Sequence, residues 1–85
     1  MSPSTNEDEV LHQSPLMYRL LREASGRLAI EVVVGGIAMY TVRVRLDERE
    51  AEAYAREGTA FSDRLARQIM ADPHFGGRAH EVPDA

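Results

Sequence analysis

The stretch that most restricts the fold is residues 27–46, RLAIEVVVGGIAMYTVRVRL, where β-branched residues alternate on either side of one Gly35-Gly36 interruption. A period of two on both sides of a glycine pair is the pattern of two antiparallel strands joined by a short turn. Side-chain parity carries the reading further. Leu28, Ile30, Val32 and Val34 share one side of the first strand, while Ala38, Tyr40, Val42, Val44 and Leu46 share one side of the second. Facing residues of an antiparallel pair lie on the same side of the sheet, so the two even-numbered sets meet only across a connection with an odd number of residues. A two-residue Gly35-Gly36 loop would set Arg43 beside Leu28 and Glu31 beside Tyr40. The pattern therefore predicts a three- or five-residue connection, such as Val34-Gly35-Gly36 with Gly36 in the left-handed conformation.

The opposite side of the hairpin carries Arg27, Ala29, Glu31, Val33, Ile37, Met39, Thr41, Arg43 and Arg45. Its charges lie away from the turn and its apolar residues lie near it. A two-stranded ribbon alone is marginal in water, so it needs helices on one side and more strands, or a second copy, along an edge.

Flanking segments supply the helices. Ser14-Pro15 reads as N-cap and first helical residue, and Leu16, Met17, Leu20, Leu21 and Ala24 fall on one helical face before Gly26 stops the segment. After the hairpin, Asp47 and Glu50 have the spacing of a capping box, and Gly58 interrupts the helix that follows. Phe61, Leu65 and Ile69, widened by Ala66 and Met70, predict a last helix over residues 60–71, closed by Asp72-Pro73. The expected fold class is α+β, in the order α-β-β-α-α: short helix, two-stranded antiparallel hairpin, two helices, the small sheet extended across a dimer. Residues 1–13 are expected as a disordered acidic arm, 14–75 as a single α+β domain and 76–85 as a flexible tail.

An 85-residue chain makes one domain, and at this size only roughly 60% of the chain surface is buried on folding. There is no cysteine, so neither disulfides nor a thiolate metal site can reinforce the core. No apolar run is long enough to span a membrane, which makes the cytoplasm the expected address. All ten basic residues are arginine, and the net charge is -4. Within residues 14–45 the balance is positive, with five arginines against two acids. Residues 46–72 reverse it, with four arginines against seven acids, which predicts attraction between the two halves.

Tests for chemistry give little. Asp72, His74 and His80 lie close in sequence but in a tail without fixed geometry, so no metal is expected. Glu48 and Glu52 lie one turn apart on an outward helical face between arginines, the pattern of a solvated surface. Ser14, Ser25 and Ser62 have no nucleophile-elbow surroundings, and neither Gly35-Gly36 nor Gly76-Gly77 has the lysine and spacing of a phosphate-binding loop. No catalytic residue and no cofactor is assigned.

Thr41, Arg43 and Arg45 alternate on a strand just before the first of two helices, and this strand-helix-helix order resembles that of the ribbon-helix-helix repressors. The resemblance is one of element order. It implies a DNA-binding regulator in which two chains pair a strand each and those three outward side chains read the major groove. The reading favoured by the residues themselves is a non-catalytic protein–protein interaction module, such as an adaptor, an inhibitor or immunity-like protein, or a small complex subunit. Its expected working surface is Val33, Ile37 and Met39, and its partner a second copy, giving a homodimer, or another protein.

Overall fold

A computed structural model describes residues 8–15 and 18–82. Five antiparallel strands form one sheet in sequence order: β1 (Glu9–Ser14), β2 (Tyr18–Arg22), β3 (Leu28–Val34), β4 (Tyr40–Arg45) and β5 (His80–Val82). Between β4 and β5 the chain forms α1 (Glu48–Glu57), α2 (Thr59–Ala71) and a short 3₁₀ turn (Phe75–Gly77). The class is α+β. The order is β-β-β-β-α-α-β, which replaces the expected α-β-β-α-α arrangement with its two-stranded hairpin.

The central hairpin follows from its alternation. Ile30 faces Val44, Val32 faces Val42 and Val34 faces Tyr40, leaving residues 35–39 as the connection. The left-handed residue is Gly35 (φ 93°) and not Gly36. A Cβ on Gly35 would stand 2.9 Å from the Ala38 carbonyl oxygen, so only glycine fits.

The segment expected as a first helix is a strand. Leu20 and Leu21 are both fully buried, on opposite faces of the sheet, with Leu20 opposite Ile30 and Leu21 opposite Ala29. A short strand buried on both sides loses its alternation, and an adjacent leucine pair then imitates a helical stripe. Gly26 does take the left-handed conformation (φ 93°), but within the β2–β3 hairpin. There Glu23 N–H donates to Arg27 O at 2.8 Å and Gly26 N–H to Glu23 O at 2.7 Å, a three-residue turn of the kind that favours glycine at its last position. Ser14 ends β1, and Pro15 begins the turn to β2; Ser-Pro suits the start of a turn as well as that of a helix. Leu16 and Met17 lie outside the described residues.

Both outer strands come from stretches expected to lie outside the folded part. β1 pairs with β2 from Glu9↔Arg22 to Ser14↔Tyr18, with a bulge at Leu11, and β5 pairs with β4 through Thr41↔Val82 and Arg43↔His80. The remainder of the expected arm and tail, residues 1–7 and 83–85, lies outside the described residues.

The helices follow their sequence signals closely. Asp47 Oδ1 accepts from Glu50 N–H at 2.8 Å while Glu50 Oε1 accepts from Asp47 N–H at 2.9 Å, completing the capping box. Gly58 (φ 66°) joins α1 to α2, and Asp72 follows the last residue of α2. Leu65, Ala66 and Ile69 of α2 are buried against Leu20, Ile30, Val32, Val42 and Val44, and Tyr54 and Phe61 pack at the margin of that core. The helices thus cover the even-numbered face of the sheet. Leu21 and Ala29 are buried on the other face, outside that core.

Candidate functional site

The open face of the sheet collects most of the side chains that the sequence singles out. Its centre is a row set by register: Glu31 of β3 lies directly between Arg19 of β2 and Arg43 of β4. Arg19 Nη2 donates to Glu31 Oε1 at 2.6 Å, and Arg43 donates to Glu31 Oε2 from Nε at 2.9 Å and from Nη2 at 2.6 Å. Arg43 also reaches Glu23 at 2.9 Å and Asp8 at 3.0 Å, while Arg45 Nε donates to Glu23 Oε1 at 2.9 Å.

Glu31 is only 5% exposed. Burial would raise its pKa, but the hydrogen bonds from Arg19 and Arg43 outweigh it and hold the carboxyl below its ordinary range. Burial would likewise weaken the positive charge on Arg43, and its bonds to Glu31 and Asp8 raise its pKa instead. This network is paired within the sheet and its two hairpins. The expected attraction between the halves of the chain is not met by paired side chains: among the described residues no ion pair joins 14–45 to 46–72, and Glu50 of the second half pairs instead with Arg78, beyond both, at 2.6 Å.

At the end of this face next to the 35–39 connection Val33 is 41% exposed. Ile37 and Met39, which parity places on the same strand face, lie in the connection itself, Met39 68% exposed and Ile37 fully so. Val33 lies opposite Thr41, and Thr41 lies opposite Val82, forming a short apolar row next to the loop. No described residue covers Ile37 or Met39.

The three residues of the DNA-reading alternative do not present themselves as that reading requires. β4 is paired on both sides within its own chain, by β3 and β5, so it is not available to build a two-chain ribbon. Arg43 is engaged by three carboxylates, Arg45 by Glu23, and Thr41 sits partly buried between Val33 and Val82.

A second polar cluster lies on the helix-covered face. Tyr18 Oη donates to Asp63 Oδ1 and lies 2.8 Å from Ser62 Oγ. Burial, then the bond to Asp63, pushes the phenol pKa up to about 12. The His12 ring is tilted against that of Tyr18, with centroids 5.7 Å apart. Ser62 has no exposed surface, so this hydroxyl pair has no access for a substrate. It fastens α2 to the sheet by satisfying polar groups that the apolar contact would otherwise strand. Ser62, for which the sequence offers no nucleophile-elbow surroundings, is a buried anchor; its place near the leucine stripe of α2 is the sequence signal.

At the end of the sheet away from the loop, Arg27, Arg45, Arg78 and His80 line a cleft of about 230 Å³. An adjoining hollow of about 360 Å³ shares Arg45 and His80 and adds Arg43, Glu81 and Val82. Among the described residues no cluster of three or more His, Asp or Glu side chains converges as a metal site. His80 is carried into the sheet by β5, whereas Asp72 and His74 follow α2. No helix among the described residues is long and apolar enough to cross a membrane. The chain matches no protein-family model, no curated protein and no solved structure.

Proposed function

We propose that this protein is a non-catalytic interaction module, acting in the cytoplasm, that pairs with a second copy of itself through the open face of its sheet. The observation that carries the reading is the exposure of Val33, Ile37 and Met39 together at one end of a face that neither helix covers. Isolated apolar side chains at a surface are ordinary, but a cluster beside an uncovered sheet face has the composition of a contact surface. The charges beside it favour a copy of the same chain over a highly charged partner. Arg19, Arg43 and Arg45 are already matched by Glu31, Glu23 and Asp8, so two such faces can approach without net repulsion. A stable dimer buries about 800 Å² per partner. Against a total accessible surface of 5508 Å², that is roughly a seventh of what the chain exposes.

Sedimentation velocity over a concentration series tests the proposal. The expected result is a monomer–dimer equilibrium that the double variant Val33→Arg, Met39→Glu shifts to monomer, with an unchanged circular dichroism spectrum. A chain that stays monomeric up to roughly millimolar concentration, near the weak end of specific association, would overturn it, as would a dimer indifferent to the double variant.

A further inference from the structure

The three arginines and the histidine that line the cleft of about 230 Å³ come from four separate places in the chain: the β2–β3 turn, the end of β4, the segment after the 3₁₀ turn, and β5. We propose that this cleft binds the phosphate group of a small phosphate monoester. Two of the guanidinium groups are set in position by main-chain carbonyls at the end of β4. Arg27 Nε donates to Leu46 O at 3.4 Å, and Arg78 Nη2 donates to Arg45 O at 2.8 Å. Arg78 is held further by its fork onto Glu50, at 3.0 and 2.6 Å, and by stacking 5.2 Å above the Phe75 ring. It is therefore ordered before any ligand arrives, which removes part of the entropic cost of binding.

The unspent donors are what give the cleft a ligand preference. Among the described residues Arg27 has no carboxylate within ion-pair distance, and its two terminal nitrogens make no hydrogen bond. Arg45 uses only Nε, on Glu23, and Arg78 keeps Nε free of a hydrogen bond. Glu23 and Glu50 offset the charges of Arg45 and Arg78, so the charge of Arg27 is the one left over. Guanidinium forks match the spacing of phosphate oxygens and bind them in pairs. A phosphate monoester brings three terminal oxygens and a charge near -2, enough to engage several forks at once, whereas a carboxylate brings two oxygens and one charge.

Size agrees with this choice. Sites for drug-sized ligands run from roughly 300 to 1,000 Å³, and the cleft of about 230 Å³ suits a head group rather than a whole ligand. The adjoining hollow, continuous through Arg45 and His80, would take the organic part against Val82.

The test is calorimetric titration of the full chain, at fixed ionic strength, with inorganic phosphate, phenyl phosphate and acetate. The expected result is saturable binding of both phosphates, tighter for phenyl phosphate, and much weaker binding of acetate. Arg27→Gln should weaken phosphate binding by roughly tenfold or more, the scale of one charge-assisted fork. Arg64→Gln, at an arginine that pairs with Glu57 on the helices, should leave it unchanged. Arg27 is exposed and makes a single long bond to the main chain, so its variant keeps the fold, which circular dichroism verifies. Arg45→Gln is the second variant. Signals that never saturate, acetate binding as tightly as phosphate, or wild-type affinity in both cleft variants would each overturn the proposal. Equal affinity for the two phosphates would remove the adjoining hollow from it.

Discussion

Ile30 and Glu31 are neighbours in β3, 0% and 5% exposed, and they are shielded from water by opposite means. Ile30 points to the helices, where Leu65, Ala66 and Ile69 close over it. Glu31 points away from them, and the side chains that shield it are the two arginines it binds. One face is a packed apolar core with a single polar fastening at Tyr18. The other carries an ion network, and Leu21 and Ala29 are buried on that same face without helix cover. The difference teaches that a sheet of this size can be finished on its second side without a second layer of helices, provided that cross-strand register brings opposite charges together. A face finished in that way keeps its capacity to meet another surface.

The contrast can be broken by truncating adjacent leucines. Leu20→Ala opens a cavity under α2 and should cost about 3 kcal/mol, the usual scale for a fully buried leucine. Leu21→Ala empties space on the face that no helix covers, where the surrounding side chains are freer to settle, so its expected cost is nearer ~2 kcal/mol. Urea denaturation of both variants measures the gap, and equal losses would show the two faces to be packed alike.

Next in size is Glu31→Gln, which leaves Arg19 and Arg43 facing a neutral amide. The carboxylate is buried but both arginines are partly solvated, so the expected loss is about 2 kcal/mol, below the range for a fully sealed pair. Acid adds a sign to this prediction. The folded pKa of Glu31 is lowered, so its contribution is complete above the ordinary carboxylate value near ~4.3 and fades as pH falls through the lower folded value. Wild type should lose stability in that window faster than the glutamine variant, and chemical denaturation across an acid pH series reads the difference.

The smallest effect belongs to the fastening on the helix side. Tyr18→Phe removes the phenol partner of Asp63 and one of the two partners of Ser62, which keeps its bond to Thr59 O, with an expected loss of about 1–2 kcal/mol. Because burial and Asp63 raise the phenol pKa from 10.0 to about 12, the contribution of Tyr18 is complete below pH 10.0 and is lost as pH climbs toward 12. The phenylalanine variant should lack that alkaline decline, and ultraviolet absorbance should show a phenol ionisation near pH 12 that disappears in the variant.

Legibility in the sequence follows the same division. The β3–β4 hairpin could be read because both of its strands alternate over several residues, and α1 because a capping box depends on two residues alone. β2 was read as helix because its two leucines are buried on opposite faces, which erases the period of two. β1 and β5 carry little apolar pattern of their own; what makes them strands is the pairing offered by β2 and β4, a tertiary cause that no local window contains. Parity places Val33 correctly but not Ile37 and Met39, which lie in the connection because β4 starts only at Tyr40. The Arg19–Glu31–Arg43 row needs the register of three strands, and the cleft at Arg27, Arg45, Arg78 and His80 needs the middle of the chain and its C-terminal part together.

The bulge at Leu11 sets the direction in which this molecule can grow. A regular outer strand would invite the next chain to continue the ladder, and the next after that, an open-ended series that finishes as a filament. Where the hydrogen-bond rhythm is broken by one extra residue, and the opposite margin is a strand of three residues, lateral extension has no clean template. The proposed pairing through the broad side would instead use up its surface in one twofold step and stop at two.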